Sequence, residues 1–329
     1  MQIEASLIVV LGTGGTIAGA SSQPGDNVGY TAAQLGAAQL IAAVPALGPG
    51  PLEVAQVAQV DSKDMGVAVW RDLALAVDRH LARPEVRAIV VTHGTDTLEE
   101  TAYFLQRLLA PAKPVVLVAA MRPATSLQAD GPQNLVDAFV VARESGARGV
   151  VAVLAGRVHI GSEVRKVHPY RLDAFDSGDA GALADVEEGR LRRHRDWPCG
   201  TALGVGILPT EPADWPRVEI VTSHAGADGR IVGLLQRDGV EGIVVATTGN
   251  GSIHHALEAA AFAAQRSGIA VLRATRTQRG SIVDRAASPA LPSAGTLTPV
   301  QARVELLLRL LSGRAAEGRA PDRSTARST

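Results

Sequence analysis

The sequence predicts an α/β fold in two domains: a larger N-terminal, mainly parallel sheet flanked by helices, and a smaller C-terminal α/β domain. Three observations lead there. Short apolar runs alternate with longer stretches of helical period. The runs are apolar at nearly every position, as strands covered on both faces must be. The chain has 329 residues, more than the ~250–300 at which a single core stops growing.

The N-terminal strands are expected at Leu7–Leu11, Ala88–Thr92, Val115–Ala120 and Gly149–Leu154. Between them a helix over Val69–Leu81 aligns Leu73, Val77 and Leu81 and stops before Pro84. A second, over Glu99–Leu109, opens with Thr97 and Glu100 spaced as a capping box. Composition then shifts. Arg190, Arg192, Arg193, His194 and Arg195 form a charge run, followed by Pro198, Gly200, Pro209, Pro212 and Pro216. This reads as a solvated connection between domains. Alternation resumes with strand Val218–Val221, helix Val232–Gln236, strand Ile243–Ala246, helix Ile253–Arg266 and strand Ala270–Leu272. The last helix starts at the capping box Thr298-Pro299-Val300-Gln301 and is expected to end near Gly313. The expected organisation is therefore an N-terminal domain over 1–192, a linker over 193–215, a C-terminal domain over 216–313 and a disordered tail over 314–329.

Composition excludes several classes of function. Lys and Arg number 32 against 33 Asp and Glu, so no global field attracts nucleic acid or an anionic membrane. Aromatic residues are 3%, too few for a base-stacking surface. Cys199 is the sole cysteine, which leaves neither an internal disulfide nor a cysteine-cluster metal site. Leu7–Leu11 has no preceding Lys or Arg and is too short for a secretory segment. The longest apolar stretch, Val115–Met121, falls short of the ~20 residues that span a bilayer. A cytoplasmic protein is the expectation, with no metal, membrane or nucleic-acid partner.

Two segments carry chemistry. Strand Leu7–Leu11 runs into Gly12-Thr13-Gly14-Gly15-Thr16-Ile17-Ala18-Gly19. Ile17 breaks the G-x-G-x-x-G dinucleotide pattern, and no Lys-Ser/Thr follows for a P-loop. What remains is Thr16 at the carboxyl end of a strand, where open α/β sheets place ligands, or else a threonine that only caps a turn. The second segment is Thr92-His93-Gly94-Thr95-Asp96-Thr97. Helix capping explains Thr97 but not Thr95 and Asp96, which sit at the helix's positive end. His93 is expected to be packed and hydrogen-bonded. Two hydroxyls at strand ends suggest acyl transfer by a threonine or by a threonine-aligned water. Such a hydroxyl needs a base to take its proton. No H-E-x-x-H or G-x-S-x-G occurs, so the base must be Lys, Tyr or Asp.

Together, Thr13-Gly14-Gly15-Thr16-Ile17-Ala18 and His93-Gly94-Thr95-Asp96-Thr97 resemble the two signatures of bacterial L-asparaginases. Ala120-Met121-Arg122-Pro123, continuing through Ser126 to Asp130-Gly131-Pro132 and Asn134-Leu135, is similar to another segment of that family. So are Gly249-Asn250-Gly251 and Gly295-Thr296-Leu297. The likeness spans about residues 7 to 312 in order. It implies a cofactor-free amidohydrolase acting on a small-molecule amide, as a homotetramer with sites at subunit interfaces.

Carried over by position, Thr16 matches the first catalytic threonine and Tyr30 the tyrosine that closes on it. The Gly, Ser and Pro content of Ala20–Gly29 suits a hinged loop or an ordinary mobile one. Thr95, Asp96 and Lys166 match a second triad, in which a lysine depressed by burial takes the threonine proton. Ser62 matches the residue that holds the substrate α-carboxylate. Asn250 matches one contributed by the neighbouring subunit.

Two positions depart from the family pattern. Lys63 stands where periplasmic-type relatives commonly carry glutamine, whose carbonyl accepts from the substrate ammonium; lysine has only donors. At a separation of roughly 4 Å two ammonium groups repel by about 1 kcal/mol in water and about 4 at an effective dielectric of 20. Alternatively Lys63 faces solvent or pairs with Asp64. The segment supplying an acid from the partner is shortened between Gly280 and Gly295, and Asp284 is not assigned that role. The expected reaction is hydrolysis of the L-asparagine side-chain amide to L-aspartate and ammonia. The alternatives are a glutaminase-asparaginase, an amidase for a modified asparagine, or a non-catalytic amino-acid-binding homologue.

Overall fold

The computed structural model describes residues 6–23, 25–284 and 291–318, which form two compact units. The first comprises the chain up to Val205 together with Gln278–Gly280, and the second holds the remainder.

The first unit contains, in order, β1 (Leu7–Gly14), α1 (Ala37–Ala42), β2 (Leu52–Val60), α2 (Val67–Leu81), β3 (Val86–Thr92), α3 (Leu98–Leu109), β4 (Pro114–Val118), α4 (Gly131–Arg143) and β5 (Gly149–Leu154). It continues with β6 (Arg157–Ile160), β7 (Arg165–Lys166), β8 (Phe175–Asp176), β9 (Ala184–Glu187) and β10 (Arg190–Arg193). Eight strands make one sheet in the order β10-β9-β6-β5-β4-β3-β1-β2. Strands β2, β1, β3, β4 and β5 run parallel, and β6, β9 and β10 add an antiparallel edge. Strands β7 and β8 stand apart as a two-stranded ribbon.

Period-two alternation explains the core. Ile8, Val10, Val90, Val116, Val118 and Val151 join Leu135 and Phe139 of α4 in one cluster. The intervening Val9, Leu11, Ile89, Val91 and Leu117 are equally buried, toward the opposite face. Next to that sheet, Trp70 of α2 stacks on Phe104 of α3 at 5.0 Å. The Trp70 indole N–H donates to Thr101 Oγ1 at 2.9 Å, so the buried nitrogen is satisfied. With every central strand covered twice, the polar ends of the strands are where side chains meet solvent and ligand.

Several elements differ from the sequence expectation. Strand β2 escapes a hydrophobicity reading because its Glu53, Gln56 and Gln59 interrupt the apolar pattern of a half-buried edge strand. The charge run is not linker at its start: Arg190–Arg193 is β10. Arg192 bridges to Asp185 and Glu187 of the neighbouring strand, both at 2.9 Å. Thr97 does not cap α3 by its side chain; its hydroxyl donates to the Ser62 carbonyl at 2.8 Å. Helix α4 was not expected at all. Asp130 precedes it and accepts from the amides of Met121 and Arg122, each at 2.9 Å.

The second unit contains β11 (Val218–Thr222), α5 (Arg230–Arg237), β12 (Gly242–Thr247), α6 (His255–Arg266), β13 (Ala270–Thr275) and α7 (Pro299–Gly318). Its three strands are parallel in the order β11-β12-β13. The capping box of α7 forms as expected: Gln301 N–H donates to Thr298 Oγ1 at 3.3 Å, and Thr298 N–H to Gln301 Oε1 at 3.2 Å. The helix does not stop near Gly313 but continues to Gly318. An interior glycine costs a helix only about 1 kcal/mol. Arg314, one residue on, pairs with Glu241 and donates to the Asp214 carbonyl at 2.8 Å. Residues 319–329, the rest of the expected tail, lie outside the described residues, as do 285–290.

His93 and His159 are almost wholly buried and neutral. Burial pushes the His93 and His159 imidazoles down to about 4. Unfolded histidine titrates near 6.5, so between pH 6.5 and 4 the unfolded chain binds more protons and stability falls with acid. The full loss is about 3 kcal/mol per histidine, reached below the folded value. Urea unfolding measured from pH 7 to 4 should show this decline, and His159→Asn should make the slope shallower.

Candidate active site

Both threonine turns lie at carboxyl ends of adjacent parallel strands, Thr16 after β1 and Thr95 after β3. Their glycines bring them together. A Cβ placed on Gly15 would lie 2.3 Å from the Cα and N of Gly94, so the two backbones touch where no side chain fits. Gly15 also has φ +82°, a conformation that L side chains rarely adopt. Thr16 and Thr95 each follow one residue beyond this contact, and both are buried.

Each threonine has its own partner. Thr16 Oγ1 and the Tyr30 hydroxyl share a hydrogen bond of 2.7 Å. The Tyr30 ring packs close to Gly19, where a Cβ would meet Cδ2 at 2.8 Å and Cε2 at 3.1 Å. Burial pushes the Tyr30 phenol above its ordinary value. The hydrogen bond with Thr16 opposes this, and the carboxylates of Asp61 and Asp96 reinforce it. Tyr30 thus keeps its proton at neutral pH and orients Thr16 as a phenol rather than as a base. The loop bearing Tyr30 closes on itself through reciprocal bonds between Ala20 and Thr31 at 2.9 Å. Ser126 Oγ donates to Asn27 Oδ1 at 2.6 Å, and Ser21 N–H to Thr125 Oγ1 at 2.8 Å.

Around Thr95 the arrangement is ionic. Lys166 Nζ donates to Thr95 Oγ1 at 2.9 Å and to Asp96 Oδ1 at 2.6 Å. Ser62, buried at the end of β2, accepts from the Asp96 amide at 3.1 Å. Its Oγ would be 2.4 Å from a Cβ on Gly94, so serine, glycine and threonine are packed edge to edge. His93 is buried and meets the Gly94 carbonyl through Nδ1 at 2.7 Å. A carbonyl only accepts, which assigns the ring proton to Nδ1 and fixes that peptide plane. Its Nε2 has no partner among the described residues.

The first unit therefore brings together Thr16, Tyr30, Ser62, Thr95, Asp96 and Lys166. Lys63, beside Ser62, has a side chain 60% exposed and turned to carboxylates: it pairs with Asp64 and reaches Asp61 at 3.8 Å. Asn250 belongs to the second unit. Its side-chain amide is spent on Val283, donating to the carbonyl at 3.0 Å and accepting from the N–H at 2.8 Å. Asp284 pairs with Arg273. Among the described residues no group of His, Cys, Asp or Glu has the geometry to hold a metal ion. No helix of the described residues is long and apolar enough to cross a membrane.

Two residues of the family-like run Ala120–Leu135, to which the sequence assigns no role, turn out to be supports. Asn134 donates to the Ala119 carbonyl at 2.9 Å and accepts from the Ala155 amide at 3.0 Å, tying the loop after β4 to the end of β5. Arg122, buried in the same loop, donates to the Tyr170 carbonyl at 2.7 Å. Their signal in the sequence is their place in that run, with Arg122 a lone arginine after a buried strand. Neither reveals its partner.

This is the fold and side-chain set of a two-part α/β protein with paired, oppositely supported threonines. The family model "Asparaginase, N-terminal" matches residues 7–198, and "Glutaminase/Asparaginase C-terminal domain" matches residues 217–319. The chain is 36% identical over 311 residues to L-asparaginase 2 of Bacillus subtilis, covering 92% of this chain and 82% of that protein. It is 35% identical over 310 residues to L-asparaginase 2 of Escherichia coli, covering 92% and 88%. The solved structure "Probable Cytoplasmic L-asparaginase from Campylobacter jejuni" superposes with a TM-score of 0.86 at 33% identity, over 95% of this chain and 98% of that one. The chain belongs to the asparaginase family.

Two outcomes follow from this geometry. Gly15→Ala forces Cβ into the Gly94 backbone and should destabilise the fold by about 2–4 kcal/mol, read by urea unfolding. Lys63→Gln removes an exposed ion pair and should leave kcat/KM for asparagine within about twofold of wild type.

Proposed function

We propose that this protein is an amidohydrolase that converts L-asparagine to L-aspartate and ammonia, with Thr16 as nucleophile. The observation that carries the reading is the Gly15–Gly94 backbone contact. It fixes Thr16 and Thr95 each one residue from the same backbone contact, and each hydroxyl has its own partner, Tyr30 or Lys166. Family membership and the names of the relatives support the same substrate.

Thr16 Oγ1, oriented by Tyr30, attacks the amide carbonyl carbon. The proton that Oγ1 gives up enters the route formed by Thr95 and Lys166, held in place by Asp96, as that route delivers one to the departing nitrogen, which leaves as ammonia. Water then cleaves the threonyl ester, releasing aspartate and restoring the hydroxyl. Backbone N–H groups at the glycine turns are suited to the oxyanion that forms in each step. Ser62 holds the substrate α-carboxylate, and Asp96, with a half-exposed carboxylate, takes the α-ammonium. Lys63, whose ammonium has no lone pair to offer, is held by Asp61 and Asp64. In a homotetramer Asn250 meets the neighbouring subunit's site with the second N–H and second carbonyl lone pair that its two Val283 bonds do not use. The cytoplasm is the proposed compartment, supported by the name of the Campylobacter structure. The domain reading keeps the N-terminal part with the threonines, now closed by Arg193 at the end of β10, a connection from there to 215, and a C-terminal part from 216 that runs to Gly318 at the end of α7.

An ammonia-release assay with asparagine, glutamine and N-acylated asparagine tests the reading. Asparagine should be the best substrate, although one extra methylene discriminates only by about 1–3 kcal/mol. Release from none of the three identifies a binding homologue instead. Thr16→Val should lose about 10³-fold or more in kcat, and wild-type turnover in that variant refutes the nucleophile. Tyr30→Phe keeps the ring but loses the shared hydrogen bond and should lower kcat by roughly 10–100-fold.

A further inference from the structure

The lysine of the proposed proton route stands on an unusual platform. Strands β7 and β8 pair only Arg165 with Asp176 and Lys166 with Phe175, outside both sheets. A two-stranded ribbon is marginal in water on its own. Yet Lys166 Nζ must stay within hydrogen-bond reach of Thr95, so something has to hold the ribbon.

Its base is tied by arginines. Arg165 is buried and donates to the Gln278 carbonyl, and Arg279 pairs with Asp176 at 2.7 Å. Its inner end closes through Val167 N–H to the Ala174 carbonyl at 2.8 Å. The turn beyond is shaped by His168, whose Nδ1 accepts from the amides of Tyr170 and Arg171 at 3.0 and 2.9 Å. Within the turn Arg171 also pairs with the exposed Asp173 at 2.6 Å, and a residue from outside the ribbon reaches in beside it. Arg122 donates through Nη1 to the Tyr170 carbonyl at 2.7 Å, and its guanidinium carbon lies 4.0 Å from the centroid of the Tyr170 ring.

Arg122 is only 6% exposed and forms no ion pair among the described residues, and its Nε has no acceptor. A buried, unpaired guanidinium is costly. Its compensation is two carbonyls, those of Met121 and Tyr170, and one aromatic face. Its backbone is fixed independently, because the Arg122 amide donates to Asp130 Oδ1 at 2.9 Å. The loop after β4 thus presents a rigid cation to the turn four residues beyond Lys166.

We propose that Arg122, acting through Tyr170, is a positioning residue for Lys166: it clamps the outer end of the ribbon so that Nζ stays on Thr95 and Asp96. This rests on the reading of Lys166 as part of the proton route. Loosening the clamp lets the ammonium drift from Thr95 while leaving Ser62 and Asp96, which bind the substrate ends, in place.

The test is steady-state kinetics across pH for Arg122→Met, Arg122→Lys, Tyr170→Ala, Tyr170→Phe and Lys166→Met, each checked for folding by thermal melting. Arg122→Met and Tyr170→Ala should lower kcat by about tenfold with KM within about twofold, and should displace the pH dependence of kcat. Arg122→Lys should recover part of the loss, since an ammonium still reaches a carbonyl, and Tyr170→Phe should match wild type. Tyr170 is half-exposed, so its variants decide the matter if Arg122→Met does not fold. Unchanged kcat and pH profile in Tyr170→Ala, or a change confined to KM, overturns the clamp. If those variants are unchanged while Lys166→Met is inactive, the clamp alone falls. Wild-type turnover in Lys166→Met removes both the clamp and the proposed role of Lys166.

Discussion

The contact between Gly15 and Gly94 is the constraint on which the candidate site depends. Strands β1 and β3 are neighbours in the sheet, so their terminal turns must approach each other. Only residues without a Cβ let the approach close completely, and the next residue along each chain is then a threonine. Ser62 from β2 enters the same packing, and His93 holds the Gly94 peptide in plane from the buried side. Threonine geometry is therefore a property of the sheet edge rather than of either loop alone. Small displacements of the strands would be felt directly at both hydroxyls.

Around that contact the protein distributes two kinds of support. Thr16 is served by a neutral partner whose phenol is kept protonated by burial. Thr95 is served by an ion pair with one carboxylate oxygen and one hydroxyl in reach of the same ammonium. The separation suits hydrolysis of an amide. The attacking oxygen needs orientation, whereas the leaving nitrogen needs a proton, and one group cannot serve both at the same instant. The groups proposed for these functions sit on elements outside the central strands: a loop for Tyr30 and a short ribbon for Lys166. Such elements have few bonds of their own, which makes the contacts of Ser126, Thr125, Arg122 and Arg165 part of the site's construction.

Lys63 illustrates how a substitution changes meaning once its neighbours are known. By residue type alone it is a donor in a place suited to an acceptor. In the structure its ammonium is neutralised locally by Asp61 and Asp64, so the repulsion it threatens is met before any substrate arrives. Asn250 shows the opposite case. Its letters match a substrate-contacting position, but within its own unit both ends of its amide are committed to the Val283 backbone.

By itself the sequence determined the alternation of strand and helix, the buried strands β1, β3, β4 and β5, and the two threonine turns. These are local matters: a doubly covered strand needs apolar residues throughout, and a turn that must be tight needs glycine. The match of the two turns to family signatures added Tyr30 and Lys166, which no periodicity would single out. Tertiary structure alone decided the rest. It made an edge strand of Arg190–Arg193, because the cross-strand carboxylates are supplied by β9. It carried α7 past Gly313, because Arg314 finds Glu241. It also revealed that a buried arginine in one loop holds the turn beyond a lysine in another. Contacts between residues far apart in the chain leave no trace in composition or period, since each side chain is chosen for a partner that only folding brings near.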